Sequence, residues 1–96
     1  MMFLVRERHA GPAWDPALPM EQQSRWREHA EFMDQLVDSG FVALGGPLDA
    51  ERVLLAVEAS SEAGVRATLA DDPWMGSHLV IDEIEEWTIR LDSRPR

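Results

Sequence analysis

Apolar residues fall into short runs along this chain, and the runs predict four β-strands. The predicted strands cover residues 1–8, 41–44, 52–59 and 79–91. In the last strand, Trp87, Ile89 and Leu91 share one face, whereas Ile84 falls on the other. This predicts either a β-bulge near Glu85 or a strand end with one exposed side.

Two segments between the strands have helical spacing. Residues 21–39 form one amphipathic helix that ends at Gly40. A second helix begins at Ser60 or Ser61, either of which can cap it, and runs to about Ala70.

Loops join these elements. Residues 9–20 contain Pro12, Pro16 and Pro19, which predicts a stiff loop. A run of glycine and proline at 45–47 predicts a turn that stops the second strand, and residues 93–96 form a polar tail.

The resulting βαββαβ order predicts an α+β domain of the ferredoxin-like type, an antiparallel sheet with both helices on one face. A sheet covered on one face should alternate apolar and polar residues. Residues 53–57 are instead all apolar, so both faces of this strand are apolar. The pattern therefore predicts a homodimer in which two sheets pack face to face.

The composition indicates one acidic, cysteine-free domain over residues 1–96. Acidic residues number 18 against 9 basic ones, for a formal net charge of -9. Such a surface repels nucleic-acid phosphates and anionic membranes, so neither is expected as a partner. Without cysteine there is no disulfide or thiol chemistry. No apolar run reaches the length of a membrane span, and we expect a cytoplasmic protein.

His29 carries the main chemical signal. In the predicted helix it lies ~60° from the centre of an apolar stripe. The stripe consists of Trp26, Ala30, Met33 and Val37. A buried imidazole without a partner is costly, and Asp34 projects ~140° away around the same helix. The partner must come from elsewhere in the fold, and the best candidate is Asp72, with Asp71 as its rival.

Five motifs, taken in order, resemble the YciI-like (YCII-related) family. They are Arg25-Trp26-Arg27-Glu28-His29, Phe32-Met33, Gly45-Gly46-Pro47-Leu48, Asp71-Asp72-Pro73-Trp74 and Ile84-Glu85-Glu86-Trp87. The resemblance extends from the first strand to Trp87. It implies a dimeric α/β barrel of ferredoxin-like subunits, with an active site that pairs His29 with Asp72. Asp72 is preferred to Asp71 because it directly precedes the proline, as in the family motif.

Four more residues are expected to bind a substrate. Trp14 and Trp74 lie in loops beside the proposed pair and would form the wall of a pocket for a flat or cyclic ligand. The alternative for both is that they anchor their loops. Gly46 and Pro47 would line the pocket, although such a run more often only turns the chain.

No metal or cofactor is expected. The spacing of His9, His29 and His78 matches no metal-ligand motif. The chain also lacks a phosphate loop, a dinucleotide fingerprint and a hydrolase elbow. His9, at the end of the first strand, is a secondary candidate for the site.

The leading functional hypothesis is a small cofactor-independent enzyme. A His29–Asp72 pair would perform acid/base, lyase- or isomerase-like chemistry on a small cyclic or aromatic-derived molecule. His29 would move the proton, and Asp72 would hold its ring in one tautomer. The alternative is a non-catalytic dimer that binds a small ligand or assists a partner enzyme, with His29 as a satisfied core residue. A regulatory domain is a third, weaker option.

Overall fold

The computed structural model of the protein describes residues 1–95. Its elements, in chain order, are β1 (Met2–His9), a short 3-10 turn (Met20–Gln22), α1 (Trp26–Asp38), β2 (Val42–Pro47), β3 (Arg52–Glu58), α2 (Glu62–Leu69) and β4 (Leu79–Glu86). All strand pairs are antiparallel, and the sheet order is β2-β3-β1-β4. This order confirms the α+β, ferredoxin-like fold expected from the sequence.

One face of the sheet and one side of each helix share the core. Along β1, alternate residues point to the helices, as the period of two in a strand requires. The other strands and the two helices contribute their apolar residues to the same layer. The buried cluster contains Phe3, Val5, Leu36, Val42, Leu55, Val57, Val65, Leu69 and Ile84.

Helix α1 begins at Trp26, so the predicted start at residue 21 is wrong. The cause is Gln23, whose buried side chain holds the proline-rich loop. The Gln23 amide accepts a 2.9 Å hydrogen bond from the Asp15 N–H and donates 2.6 Å and 3.1 Å bonds to the Asp15 and Leu18 carbonyls. The backbone then passes through a left-handed conformation at Arg25, where φ is 60°, before the helix starts.

The core-facing line of α1 also differs from the predicted stripe. His29 and Leu36 are its buried residues, whereas Val37 is 55% exposed. Trp26, Met33 and Val37 border a cleft, and Met33 also packs against the edge of the core. Periodicity gives the apolar side of a helix, but packing against the sheet selects which part of that side is covered.

The predicted turn at 45–47 is wrong, because these residues belong to β2. Pro47 is tolerated there because β2 is an edge strand and its missing N–H removes no bond that a central strand would need. Gly45 lies close to β3, where a Cβ would come within 2.6 Å of the Leu55 side chain. Gly45 therefore serves a close approach of the two strands and not a reversal, whereas a Cβ at Gly46 would meet nothing within 4 Å.

Strand β4 ends at Glu86, earlier than the predicted residue 91. The irregularity expected near Glu85 lies at Asp82, because the register steps from Arg6↔Glu83 to Glu7↔Ile81. The extra residue lets Ile81 and Ile84, three positions apart, face the same side. Residues 87–95 have no regular structure, and residue 96, the last of the predicted tail, lies outside the described residues.

Helix α2 follows its prediction closely. The Ser61 hydroxyl accepts a 3.1 Å hydrogen bond from the Gly64 N–H and so caps the helix. The helix ends at Leu69, and the chain enters the 71–78 loop. Within residues 1–95, no helix is both long and apolar enough to cross a bilayer.

Candidate active site

The first helix and the loop after the second helix bring His29 and Asp72 into contact. Both carboxylate oxygens of Asp72 lie 2.9 Å from Nδ1 of His29. The two residues are separated by 43 positions in the chain and are both buried. The predicted juxtaposition is therefore present, and Asp72, not Asp71, makes it.

Asp72 also shapes the loop that delivers it. Its Oδ1 accepts a 2.9 Å hydrogen bond from the Trp74 N–H, two residues on, across Pro73. This is the local turn that aspartate forms readily before proline. The Asp72 carboxylate thus contacts both the backbone of its own loop and the His29 ring. The turn fixes the direction in which the carboxylate points toward the imidazole.

The geometry assigns the His29 tautomer. A carboxylate only accepts, so Nδ1–H donates to Asp72 and the lone pair lies on Nε2. Nε2 makes no hydrogen bond to the protein in the described part of the chain. His29 is 9% exposed and borders a mostly apolar cleft, so Nε2 is the nitrogen left to act on a ligand there.

Trp74 lies behind His29 and is fully buried, so it packs on the pair instead of facing the cleft. Its ring stacks on His29 at 4.1 Å between centroids and 5° between planes, and on His78 at 4.8 Å and 10°. The indole Nε1–H donates a 2.9 Å hydrogen bond to the Ser24 carbonyl. The indole thus holds the His29 ring in place from the side opposite the cleft.

His78 anchors the loop through two hydroxyl groups. Its Nε2 lies 2.9 Å from the Ser24 hydroxyl and its Nδ1 lies 2.7 Å from the Ser77 hydroxyl. Burial lowers the pKa of His78, and the nearby His29 and Arg25 lower it further. This histidine is therefore neutral at pH 7 and serves as a packed, hydrogen-bonded support for Trp74.

The cleft lies between α1 and the sheet and has a volume of about 410 Å³. Gly46 and Pro47 line it together with His29, as expected from the sequence. The remaining wall is mostly apolar and comes from α1, β2, β3 and the chain before α1. Its apolar residues include Met20, Trp26, Met33, Val37, Val42, Leu44, Val53, Leu55 and Leu79.

Trp14 borders a neighbouring cavity of about 540 Å³ and not the main cleft. Its ring stacks on His9 at 4.1 Å and 6°. His9 donates from Nδ1 to the Ala50 carbonyl at 3.2 Å and lines both cavities. The two spaces therefore meet at His9, and Trp14 contacts the site through that histidine.

Glu7 is a residue of the cleft that the sequence analysis missed. It lies on the inward face of β1 and is 4% exposed. Burial, with a smaller contribution from the Asp72 charge, raises the pKa of Glu7 to about 7. The alternation of side chains along a strand could have revealed it. Residues 3, 5, 7 and 9 share one face of β1, and the first two are apolar core residues, so residue 7 is expected to point inward as well.

In the described residues 1–95, no group of three or more His, Asp or Glu side chains is arranged to hold a metal ion. What the site presents is an oriented imidazole, its carboxylate and a buried carboxyl group at one apolar cleft. These are groups that transfer protons.

Fold and site together define a small α+β protein with a histidine–aspartate pair between a helix and a sheet. Among solved structures, it is similar to 5-chloro-2-hydroxyhydroquinone dehydrochlorinase from Burkholderia phenoliruptrix AC1100, in a complex with 2,5-dihydroxybenzoquinone. The TM-score is 0.58 at 21% sequence identity, over 92% of this chain and 94% of that chain. At this identity the likeness shows the fold alone. No protein-family model matches the chain, and no curated protein matches it.

Proposed function

We propose that the protein is a small enzyme of the YciI-like type, in which His29 and Asp72 perform acid/base chemistry without a cofactor. The reaction is lyase- or isomerase-like, and the substrate is a small cyclic or aromatic-derived molecule. His29 Nε2 takes or gives the proton, and Asp72 holds the imidazole in the tautomer that leaves Nε2 free.

The observation that carries the proposal is the orientation of His29. Its Nδ1 is 2.9 Å from both Asp72 oxygens, while Nε2 has no protein partner and the ring borders the cleft. A histidine kept only for packing would have both nitrogens satisfied by the protein, as His78 does.

The shape of the cleft supports the substrate class. A volume of about 410 Å³ lies in the range of small-molecule sites, and the mostly apolar wall suits a ring. The protein of similar fold acts, by its name, on a chlorinated hydroxyhydroquinone and holds a dihydroxybenzoquinone. Hydroxylated rings are therefore the first compounds to assay. Of the residues expected to bind substrate, we retain Gly46 and Pro47 as cleft lining and Trp14 at its neighbouring cavity, with Trp74 as support.

We also propose that the protein is a homodimer. On the sheet face opposite the helices, Leu4 and Leu54 are half-buried apolar residues. Leu44, which borders the main cleft as well, and Trp87 line a surface cavity with Ala56 and are 58% and 44% exposed. A second copy would cover them by sheet-to-sheet packing, as the sequence pattern predicts. Sedimentation of the purified protein tests this, and a Leu44→Asp variant should dissociate it. The extent of the domain, residues 1–96, and a cytoplasmic location stay predictions.

The alternative of a non-catalytic binding module is favoured by one observation. His29 is only 9% exposed and stacks on Trp74, so part of its surface is used for packing. In that case a His29→Asn variant would still bind ring compounds and no compound would be converted by either protein.

The test is a turnover assay on hydroxylated and chlorinated ring compounds, with 5-chloro-2-hydroxyhydroquinone first. Chloride release and solvent-deuterium incorporation detect elimination and isomerisation respectively. Because loss of a positioned acid or base costs about 10²–10⁴-fold, His29→Asn and Asp72→Asn should lower turnover by that factor while circular dichroism is unchanged. Glu31→Gln, an exposed change on the same helix, is the control. Full activity in both site variants would refute the proposal.

A further inference from the structure

Within the described residues 1–95, the Glu7 side chain makes no hydrogen bond or ion pair, although Glu7 is 4% exposed and borders the cleft. The residues before it on the same face of β1, Phe3 and Val5, are apolar core residues. A buried carboxyl group without a partner is costly, and an apolar residue would pack better at this position. No contact within the fold offsets the free-energy cost of burying this carboxyl group. This indicates that Glu7 serves the ligand that the cleft binds.

The groups that line the cleft with Glu7 include no fixed positive charge, and Arg6 and Arg52 border a separate, smaller cavity. Helix α1 presents His29 and Asp34 to the cleft, β1 adds His9, and the loop after α2 brings the Asp72 charge. The strand neighbours Val53 and Ile81 are apolar. Among the described residues that line the cleft, none is arginine, and the chain has no lysine. This environment favours the protonated form of Glu7, with a pKa raised to about 7.

We propose that Glu7 is a second catalytic acid of the cleft, and that the cleft selects uncharged ring compounds with a carbonyl or phenolic oxygen. The Glu7 carboxylic acid donates its hydrogen bond to that oxygen while His29 Nε2 faces the same ligand. Anionic compounds bind poorly because no cation offsets their charge. The inference rests on the proposed function, which it extends to the substrate class.

In an isomerisation, the proton balance is complete without any further reagent. The C–H bond next to the carbonyl breaks, and its proton goes to His29 Nε2. The electron pair forms the C=C bond of the enol, and the Glu7 O–H bond breaks as its proton goes to the carbonyl oxygen. Glu7 is then a carboxylate and His29 an imidazolium, and the return of one proton from His29 to Glu7 through water restores both.

Binding of 1,4-cyclohexanedione, an uncharged ring whose carbonyl oxygens only accept hydrogen bonds, tests the proposal by calorimetry. Affinity should be about tenfold higher near pH 5.5 than near pH 8.5, which bracket the Glu7 transition, because one hydrogen bond from Glu7–H is worth about that factor. A Glu7→Gln variant keeps a donor at both values and should lose this pH dependence. Glu7→Leu should bind about tenfold more weakly near pH 5.5, and 4-oxocyclohexanecarboxylate, an anionic analogue, about tenfold more weakly than the dione.

The matched control is Glu31→Gln, which removes an exposed carboxyl group from α1 and should behave as the wild type. Absence of dione binding, wild-type binding that is independent of pH, or a pH dependence that is undiminished in Glu7→Gln would each overturn the assignment of Glu7. Failure of the His29–Asp72 mechanism is distinct: turnover would then be insensitive to His29→Asn while the Glu7-dependent binding is intact.

Discussion

The inward face of β1 has two halves with the same burial and opposite chemistry. Phe3 and Val5 lie in the apolar core, whereas Glu7 and His9, further along the same face, border the cleft. All four are less than a tenth exposed. The first half stabilises the fold by removing apolar surface from water. The second half buries titratable groups, which costs stability unless they are satisfied, and so marks the part of the face that is kept for a ligand.

The largest expected loss of stability results from replacing Trp74, which is as buried as the core residues and stacks on the cleft residue His29. Trp74→Ala should lower the free energy of unfolding by about 3–5 kcal/mol, because a fully buried indole leaves a large cavity. It should also release the His29 ring. Leu69→Ala, at the apolar end, should cost about 2–5 kcal/mol and leave ligand binding unchanged. Urea unfolding measures both, and a Trp74→Ala cost below about 1 kcal/mol would contradict the packing described here.

The next expected effect is a gain in stability, and it results from replacing Glu7. Its folded-state pKa is raised from 4.5 to about 7, so the folded protein holds this proton more tightly than the unfolded chain. The contribution of Glu7 to the free energy of unfolding is therefore largest below about pH 4.5 and falls as the pH rises to about 7. Above about pH 7, on the order of 3 kcal/mol of this contribution has been lost. Glu7→Gln should abolish that loss and be the more stable protein at about pH 8.

Urea unfolding at several pH values compares the two proteins directly. The comparison isolates Glu7 because the wild type and Glu7→Gln share all other titrating groups, including His78 with its lowered pKa. Glu31→Gln should follow the wild type. Parallel stability curves for wild type and Glu7→Gln between about pH 4.5 and about pH 8 would show that Glu7 is not held protonated.

A smaller effect compares two serine hydroxyls. Ser24→Ala should cost about 1–3 kcal/mol, since it removes the partner of the buried His78 Nε2. Ser61→Ala removes the exposed cap of α2 and should cost about 1 kcal/mol. Thermal unfolding ranks them, and a larger cost for Ser61→Ala would mean that water replaces the Ser24 hydroxyl freely.

The smallest expected effect is on the outer face of the sheet. Arg8 and Asp82 form an ion pair at 3.1 Å with side chains that are 47% and 43% exposed. A double-mutant cycle in the dissociated Leu44→Asp background should give about 0.2–1 kcal/mol, and salt should reduce it. A coupling above about 2 kcal/mol in that monomer would show that the ion pair is shielded from water within one subunit.

Much of the fold, and one contact of the site, could be predicted from the sequence. Element order followed from hydrophobic periodicity, and the end of α2 and a cap at Ser60 or Ser61 followed from local rules, so the fold was predictable. The His29–Asp72 contact was predictable because a helix face excluded the nearby acids and a family motif supplied the partner. The start of α1 was not, since it depends on Gln23 reaching the loop at Asp15.

The surroundings of Glu7 and of the two loop tryptophans could not be predicted from the sequence. Glu7 stands between Arg6 and Arg8, so its segment resembled the charged end of a strand, and only its pairing between Val53 and Ile81 shows it to be enclosed. Trp14 and Trp74 are both expected in the pocket wall from the sequence, yet Trp74 is fully buried between two histidines and Trp14 stacks on a third.

The sequence by itself determined the order of strands and helices and the alternation of faces along β1, whereas the pairing of His29 with Asp72 was expected from the family resemblance. The order and the alternation depend on spacing along the chain and on the steric rules of nearby residues. The tertiary structure decided which part of the inward face closes into a core and which borders a cleft, which tryptophan supports the imidazole, and that a carboxyl group at position 7 is enclosed. Those outcomes depend on segments distant in the chain packing together, since burial and charge at a site are set by all the elements that meet there.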